Sequence, residues 1–163
     1  MNVLGALAGG FAGTLVLTTV LQAATQLNLT RMDLPFLLGT VFTGDRSRAK
    51  AIGYAAHFLV GLCFSMGYSV LFVALGRHDW WLGALFGLMH GIFAGTVLIN
   101  VLLPLVHPRM GTSLSDASSV ALLEPPGFLG RNYGPQTVTV SLLAHVLYGT
   151  LVAVFITGSM GSG

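Results

Sequence analysis

Between Trp80 and Met110 the chain reads WWLGALFGLMHGIFAGTVLINVLLPLVHPRM, and the 23 positions from Trp81 to Leu103 hold no Asp, Glu, Lys or Arg. Wound as α-helix, that charge-free run is roughly 35 Å long, enough to cross the ~30 Å hydrocarbon core of a bilayer with some tilt. Trp80 and Trp81 at one end, and His107 and Arg109 at the other, suit the two interfaces. Gly83, Gly87, Gly91 and Gly95 recur every four residues, so they share one slowly drifting face. In a water-exposed helix each would cost up to about 1 kcal/mol relative to Ala. In lipid, small residues let a second backbone come close. The stretch reads as a spanning helix built to be packed against.

The rest of the chain agrees. Its 163 residues are 54% hydrophobic and 7% charged, with a mean hydropathy of +0.83. Soluble domains carry about 25% charged residues, so a water-soluble domain is excluded. The net charge of +2 rests on seven basic residues spread over loops, which points to membrane topology and away from nucleic acid. Cys63, the one cysteine, sits in an apolar run and reads as a buried, inert thiol.

Four apolar runs predict spans at about 3–24, 51–75, 80–104 and 137–157, forming a single bundle over 1–157 with a flexible tail at 158–163. The fold class is all-α: a polytopic membrane protein with four transmembrane helices and two short interfacial ones. The first run lacks the basic start of a signal peptide and is longer than its apolar core. Gly5, Gly9 and Gly13 mark it with the same four-residue spacing. Asp33 is placed to cap a short helix through Phe42, and Ser113 with Asp116 to open another that ends at Glu124-Pro125-Pro126-Gly127. The short turn Gly76-Arg77-His78-Asp79 predicts an antiparallel hairpin of spans two and three.

Six of the seven basic residues (Arg31, Arg46, Arg48, Lys50, Arg109, Arg131) fall in the first and third connections, and Arg77 alone falls in the second. The positive-inside rule then puts the long loops in the cytoplasm and both termini outside. The chain also reads as a duplicated two-helix unit. Phe11-Ala12-Gly13-Thr14 recurs as Phe93-Ala94-Gly95-Thr96, Arg31-Met32 as Arg109-Met110, and Ala56-His57-x-Leu59-x-Gly61 as Ala144-His145-x-Leu147-x-Gly149. Two-span copies share one orientation and relate by a pseudo-twofold along the membrane normal.

No catalytic residue is assigned. All five carboxylates lie in loops, no phosphate-cradling glycine loop or zinc-type cysteine pair occurs, and an enzyme is the less favoured reading. The polar groups inside the spans are His57, His90 and His145, which need partners there. Hydrogen bonding across helices, to Thr18, Thr19, Gln22, Asn100 or Ser141, is the plainest role. The alternative is a ligand site. The pseudo-twofold relates His57 and His145, a pairing suited to bis-imidazole ligation of haem b or to a metal ion. His90 has no counterpart in span one and is expected nearer the outer face.

The glycine-rich first span, the MDLPFLLGT loop (Met32 to Thr40), the His57–Phe64 segment HFLVGLCF and the HPRMG run (His107 to Gly111) resemble small prokaryotic four-helix integral membrane proteins of unknown function. That resemblance implies a multi-pass protein of a prokaryotic cell membrane. The expectation is a protein that acts through helix packing and oligomerisation in the lipid bilayer. It would be a homo-oligomer or the accessory subunit of a membrane partner protein, or have a small transport-type role. The rival expectation is a haem- or metal-binding redox protein using His57 and His145.

Overall fold

The computed structural model describes residues 2–111 and 123–158. These residues are helical, without a strand, and four helices are long and apolar enough to span a membrane: Val3–Gln26, Arg46–Leu75, Trp80–Val106 and Gln136–Gly158. In chain order the elements are α1 (Val3–Gln26), α2 (Leu34–Gly39), α3 (Arg46–Leu75), α4 (Trp80–Phe93), a π-helical stretch (Ala94–Leu102), α5 (Leu103–Val106), a short 3₁₀ segment (Phe128–Tyr133) and α6 (Gln136–Gly158).

Caps set several of the ends. The Asn2 side chain accepts the Gly5 amide, and its own amide donates to the Ile156 carbonyl, tying the start of α1 to the end of α6. The Asp45 carboxylate accepts the Arg48 amide at 2.8 Å and the Ser47 hydroxyl at 2.6 Å. Those bonds, the Arg48 amide first, hold its pKa below the usual carboxylate range. The cap starts α3 at Arg46, five residues ahead of the expected boundary, so Arg46, Arg48 and Lys50 ride on the first turns of a spanning helix. The wider π winding ahead of Pro104 was not foreseen; a proline ring excludes the carbonyl four residues back from ordinary α-helical geometry.

Packing does not follow chain order. α6 lies between α1 and α4, and α1 also packs on α3. Glycines determine these neighbours. A Cβ added at Gly87 would meet the His145 carbonyl, and one at Gly149 would meet the Gly83 carbonyl and the Gly87 backbone, so α4 and α6 touch backbone to backbone. Gly9 and Gly13 bring α1 to Val152, Phe155 and Tyr148 of α6, while Gly10 and Gly61 bring α1 and α3 together at Ser65 and Thr14. Gly5 is buried on the same face, and Gly95 receives the Leu129 side chain.

α3 and α4 follow the 76–79 turn as expected, but rings rather than glycines close the space between them. Phe64 stacks on His90 at 3.8 Å between centroids, Phe72 on Phe86 at 5.3 Å, and Tyr68 meets Phe86 edge-on at 5.6 Å. The reason is geometric: the glycine face of α4 is spent on α6, which leaves its Phe86–His90 flank for α3. The outward faces are as apolar as the core. Leu4, Phe11, Leu59, Val73 and Met89 are exposed while Leu17, Leu21, Val152 and Ile156 are buried, the pattern of helices that are hydrophobic all round. Cys63 lies on the exposed side of α3, correcting the expectation of a buried thiol.

Both long connections gather at one end of the bundle. Thr30 and Thr137 share a 2.6 Å hydrogen bond, the Arg31 amide donates to the Tyr133 carbonyl, and the Tyr133 hydroxyl donates to the Glu124 carbonyl. Burial, with Glu124 nearby, pushes the Tyr133 phenol up to about 12. α2 is capped by Asp33, stops at Gly39 short of the expected Phe42, and lies against α3 through Gly39 and Gly53. The second expected short helix falls in 112–122, outside the described residues, as do positions 159–163 of the expected tail; Gly158 belongs to α6.

His107 joins the two connections. Its Nδ1 accepts the Arg109 amide at 3.1 Å, so the neutral ring carries its proton on Nε2, which donates to the Leu37 carbonyl at 3.2 Å beside Thr40. The Arg109 guanidinium donates to the Thr40 carbonyl at 2.7 Å. The residue is 5% exposed, and burial, reinforced by Arg109, lowers its pKa below the ordinary 6.5. The folded state therefore favours the neutral ring. Its contribution to stability is present above pH 6.5 and is lost as pH falls from there through the lowered folded value. Melting curves in detergent from pH 7.5 to 5.5 should show the wild type losing more stability than His107→Gln. Parallel curves would count against a neutral buried ring.

A candidate histidine–tyrosine site in the bundle

Local sequence places each imidazole beside small residues. His145 stands on α6 between Ser141 and Gly149, and His90 stands on α4 next to Gly91. A Cβ at Gly91 would lie 3.0 Å from the His145 Cβ, so the packing that joins α4 to α6 also delivers His90 to His145. Their ring centroids are 5.0 Å apart at 79°. His90 is thus a ring neighbour of His145, a contact that the pairing of His57 with His145 by the pseudo-twofold does not point to. A glycine one position along from a histidine was the available signal.

His145 Nδ1 lies 2.7 Å from the Ser141 carbonyl, one turn back on its own helix. A carbonyl only accepts, so the neutral ring has its proton on Nδ1 and its lone pair on Nε2. The threonines considered as cross-helix partners also bond within their own helix: Thr18 to the Thr14 carbonyl and Thr19 to the Leu15 carbonyl. Two tyrosines complete the cluster. Tyr148 meets His90 edge-on at 5.6 Å, and its hydroxyl donates to the Gly61 carbonyl, crossing from α6 to α3. Tyr68 stands 6.1 Å from His90 and 5.8 Å from Tyr148, both edge-on.

His57 is buried on α3, one turn before Gly61. Two buried polar atoms of the cluster, His90 Nδ1 and Tyr68 Oη, have no hydrogen-bond partner, and neither do His57 Nε2 and Ser69 Oγ elsewhere on α3. Unpaired groups of this kind cost about 1–3 kcal/mol each, so a site that keeps two of them calls for an explanation. Among the described residues no three His, Cys, Asp or Glu side chains come close enough together to hold a metal ion. What the arrangement offers is two imidazoles in contact, two phenols and aromatic walls: groups able to donate hydrogen bonds and to stack.

Beside the cluster, α3 and α4 leave a groove of about 590 Å³ lined by Phe64, Gly67, Tyr68, Phe86, His90 and Phe93 among others. No family model matches the chain, and no curated protein and no solved structure is significantly similar to it.

Proposed function

We propose that the chain is an integral, multi-pass membrane protein that works as a tightly packed helical unit, a binding or accessory component rather than an enzyme. The observation that carries this is the spending of glycines on backbone contact between helices whose outer faces are mostly aliphatic and aromatic. In water that outer surface would be a single large apolar patch, a form soluble monomers do not take. With the basic loops inside, both termini lie outside, and the Trp80–Trp81 end of the third span faces outward. The duplicated-unit reading fits the bundle, since a twofold exchanging α1 with α4 and α3 with α6 maps the α1–α3 contact onto α4–α6. Gly9, Gly13, Gly83, Gly87 and Gly91 are consumed within one chain, so association with a second copy or a partner protein would use the aliphatic faces.

Carbonate-washed membranes should retain the protein. In a Cys63→Ser background, Arg77→Cys should react with an impermeant maleimide on intact cells, and Ser47→Cys only after permeabilisation. Recovery in the soluble fraction without detergent would end the membrane reading, and reversed labelling would end the topology.

The second reading, a haem- or metal-binding redox protein, draws on the His90–His145 contact and on the lone pair that the Ser141 bond leaves on His145 Nε2. It predicts a Soret band or bound metal in the purified protein that is lost in His145→Ala. A colourless, metal-free preparation rejects it.

A further inference from the structure

We infer that the groove between α1 and α3 holds one diacyl phospholipid from the leaflet on the basic-loop side. The inference rests on the membrane reading, which makes lipid the medium at this face. The groove has a volume of about 370 Å³, within the ~300–1,000 Å³ of sites that hold small molecules. Leu15, Gln22, Ala23, Gln26, Tyr54 and Phe58 are among the residues that line it.

The lining is graded along both helices. On α1, Gln26 and Gln22 at the loop end give way to Thr18 and then Leu15. On α3, Arg46, Lys50, Tyr54 and Phe58 follow one another at four-residue steps, so they are neighbours along one side of the helix. Both rows run from polar to apolar as they leave the loop end. A phospholipid presents phosphate, ester and acyl chain in the same order. Depth agrees: α1, with 24 residues, is about 36 Å long and outreaches the ~30 Å hydrocarbon core. Its last turn, Gln22 to Gln26, therefore falls at the core boundary, the level of the ester carbonyls.

The polar groups at that level are uncommitted. Thr18 and Thr19 donate to carbonyls of their own helix. The side chains of Gln22, Gln26 and Tyr54 make no hydrogen bond, and none is sealed in the core: Gln22 and Tyr54 are half-buried and Gln26 is exposed. Carboxamide N–H and phenol O–H groups donate, and ester carbonyls only accept. A hydrocarbon chain alone would leave these donors unpaired. At the rim, Lys50 pairs with Asp33 at 3.0 Å while its side chain stays 46% exposed. Arg46 lies over the Phe36 ring and has no carboxylate partner among the described residues. A phosphate there meets two cations.

The test uses the full chain in mild detergent, delipidated and titrated with dioleoyl phosphatidylglycerol, with bound lipids counted by native mass spectrometry. The diether analogue, with the same phosphate and chains but no ester carbonyls, is the matched probe. Wild type should bind one diester molecule ahead of any others, and the diether about tenfold more weakly. Gln22→Leu should bring diester affinity down towards that of the diether. Ala23→Phe, at an exposed position, puts a ring into the groove and should abolish the tight site. Carbonate washing and melting of each variant come first. A soluble wild type sinks the membrane reading itself; if a variant melts early, the diester–diether comparison on the wild type decides. Equal binding of the two lipids by a folded, membrane-inserted wild type identifies a crevice for chains alone and overturns the assignment. So does a Gln22→Leu variant that binds the diester as the wild type does. If that variant also loses association between copies, the face belongs to a second copy of the chain.

Discussion

Gly87→Leu should leave the chain unable to form its native bundle. At this position α4 and α6 meet with no side chain between them. An added Cβ would run into the His145 carbonyl and come within 3.0 Å of the Val146 Cα, and on the other side Gly149 meets the Gly87 backbone. Ordinary overpacking costs about 1–3 kcal/mol when flexible side chains can shift. Here the obstacles are backbone atoms on two rigid helices, so the cost of a leucine should exceed about 3 kcal/mol. Gly67→Ala is the matched control. It lies in α3 with open space around it and should be neutral, or stabilising by up to about 1 kcal/mol through helix propensity. Thermal melting and monodispersity in mild detergent distinguish the two. If Gly87→Leu melts with the wild type and only its crosslinking between copies changes, the glycine serves association and the α4–α6 contact is not what holds the bundle.

Gly53→Leu should release α2 while sparing the spans. A Cβ at Gly53 would strike the Pro35 carbonyl, and Gly39 faces the Ala49 carbonyl equally closely, so α2 lies on α3 without intervening side chains. Six residues cannot hold a helix unaided, and Asp33 at the cap with its 3.0 Å ion pair to Lys50 depends on that docking. So do the bonds from His107 to Leu37 and from Arg109 to Thr40. Overpacking of about 2 kcal/mol confined to this contact would raise the opened fraction roughly thirtyfold. Limited trypsin digestion should cut at Arg31, Arg46 or Arg48 correspondingly faster, with the detergent melting point of the remaining helices little changed. Unaltered cleavage would show that α2 is held by something other than this contact.

Much of this architecture was legible along the chain. The four apolar runs became four helices with ends displaced by a few residues, and the Asp33 cap and the gathering of both long connections at one end follow the reading. Boundaries moved where capping outran hydropathy: Asp45 opens α3 before its apolar run begins, because its carboxylate satisfies the Arg48 amide. Cys63 is exposed because outward faces in such a bundle are as apolar as inward ones, so hydrophobicity alone carries no directional signal. The candidate site was half legible. His57, His90 and His145 stood out as polar groups in apolar runs, but neither Tyr68 nor Tyr148 was singled out, and the pairing came from symmetry instead of contact.

From the sequence alone follow the helical class, the number and approximate length of the long helices, and the existence of glycine faces, since each depends on residue type and local spacing. Which helix each glycine face meets was settled by the tertiary structure. Close approach is a property of two segments distant in the chain, and Gly83 and Gly87 match Gly149 only when α6 lies between α1 and α4. That one choice brings His90 to His145, leaves rings to hold α3 off α4, and so creates the groove beside Tyr68.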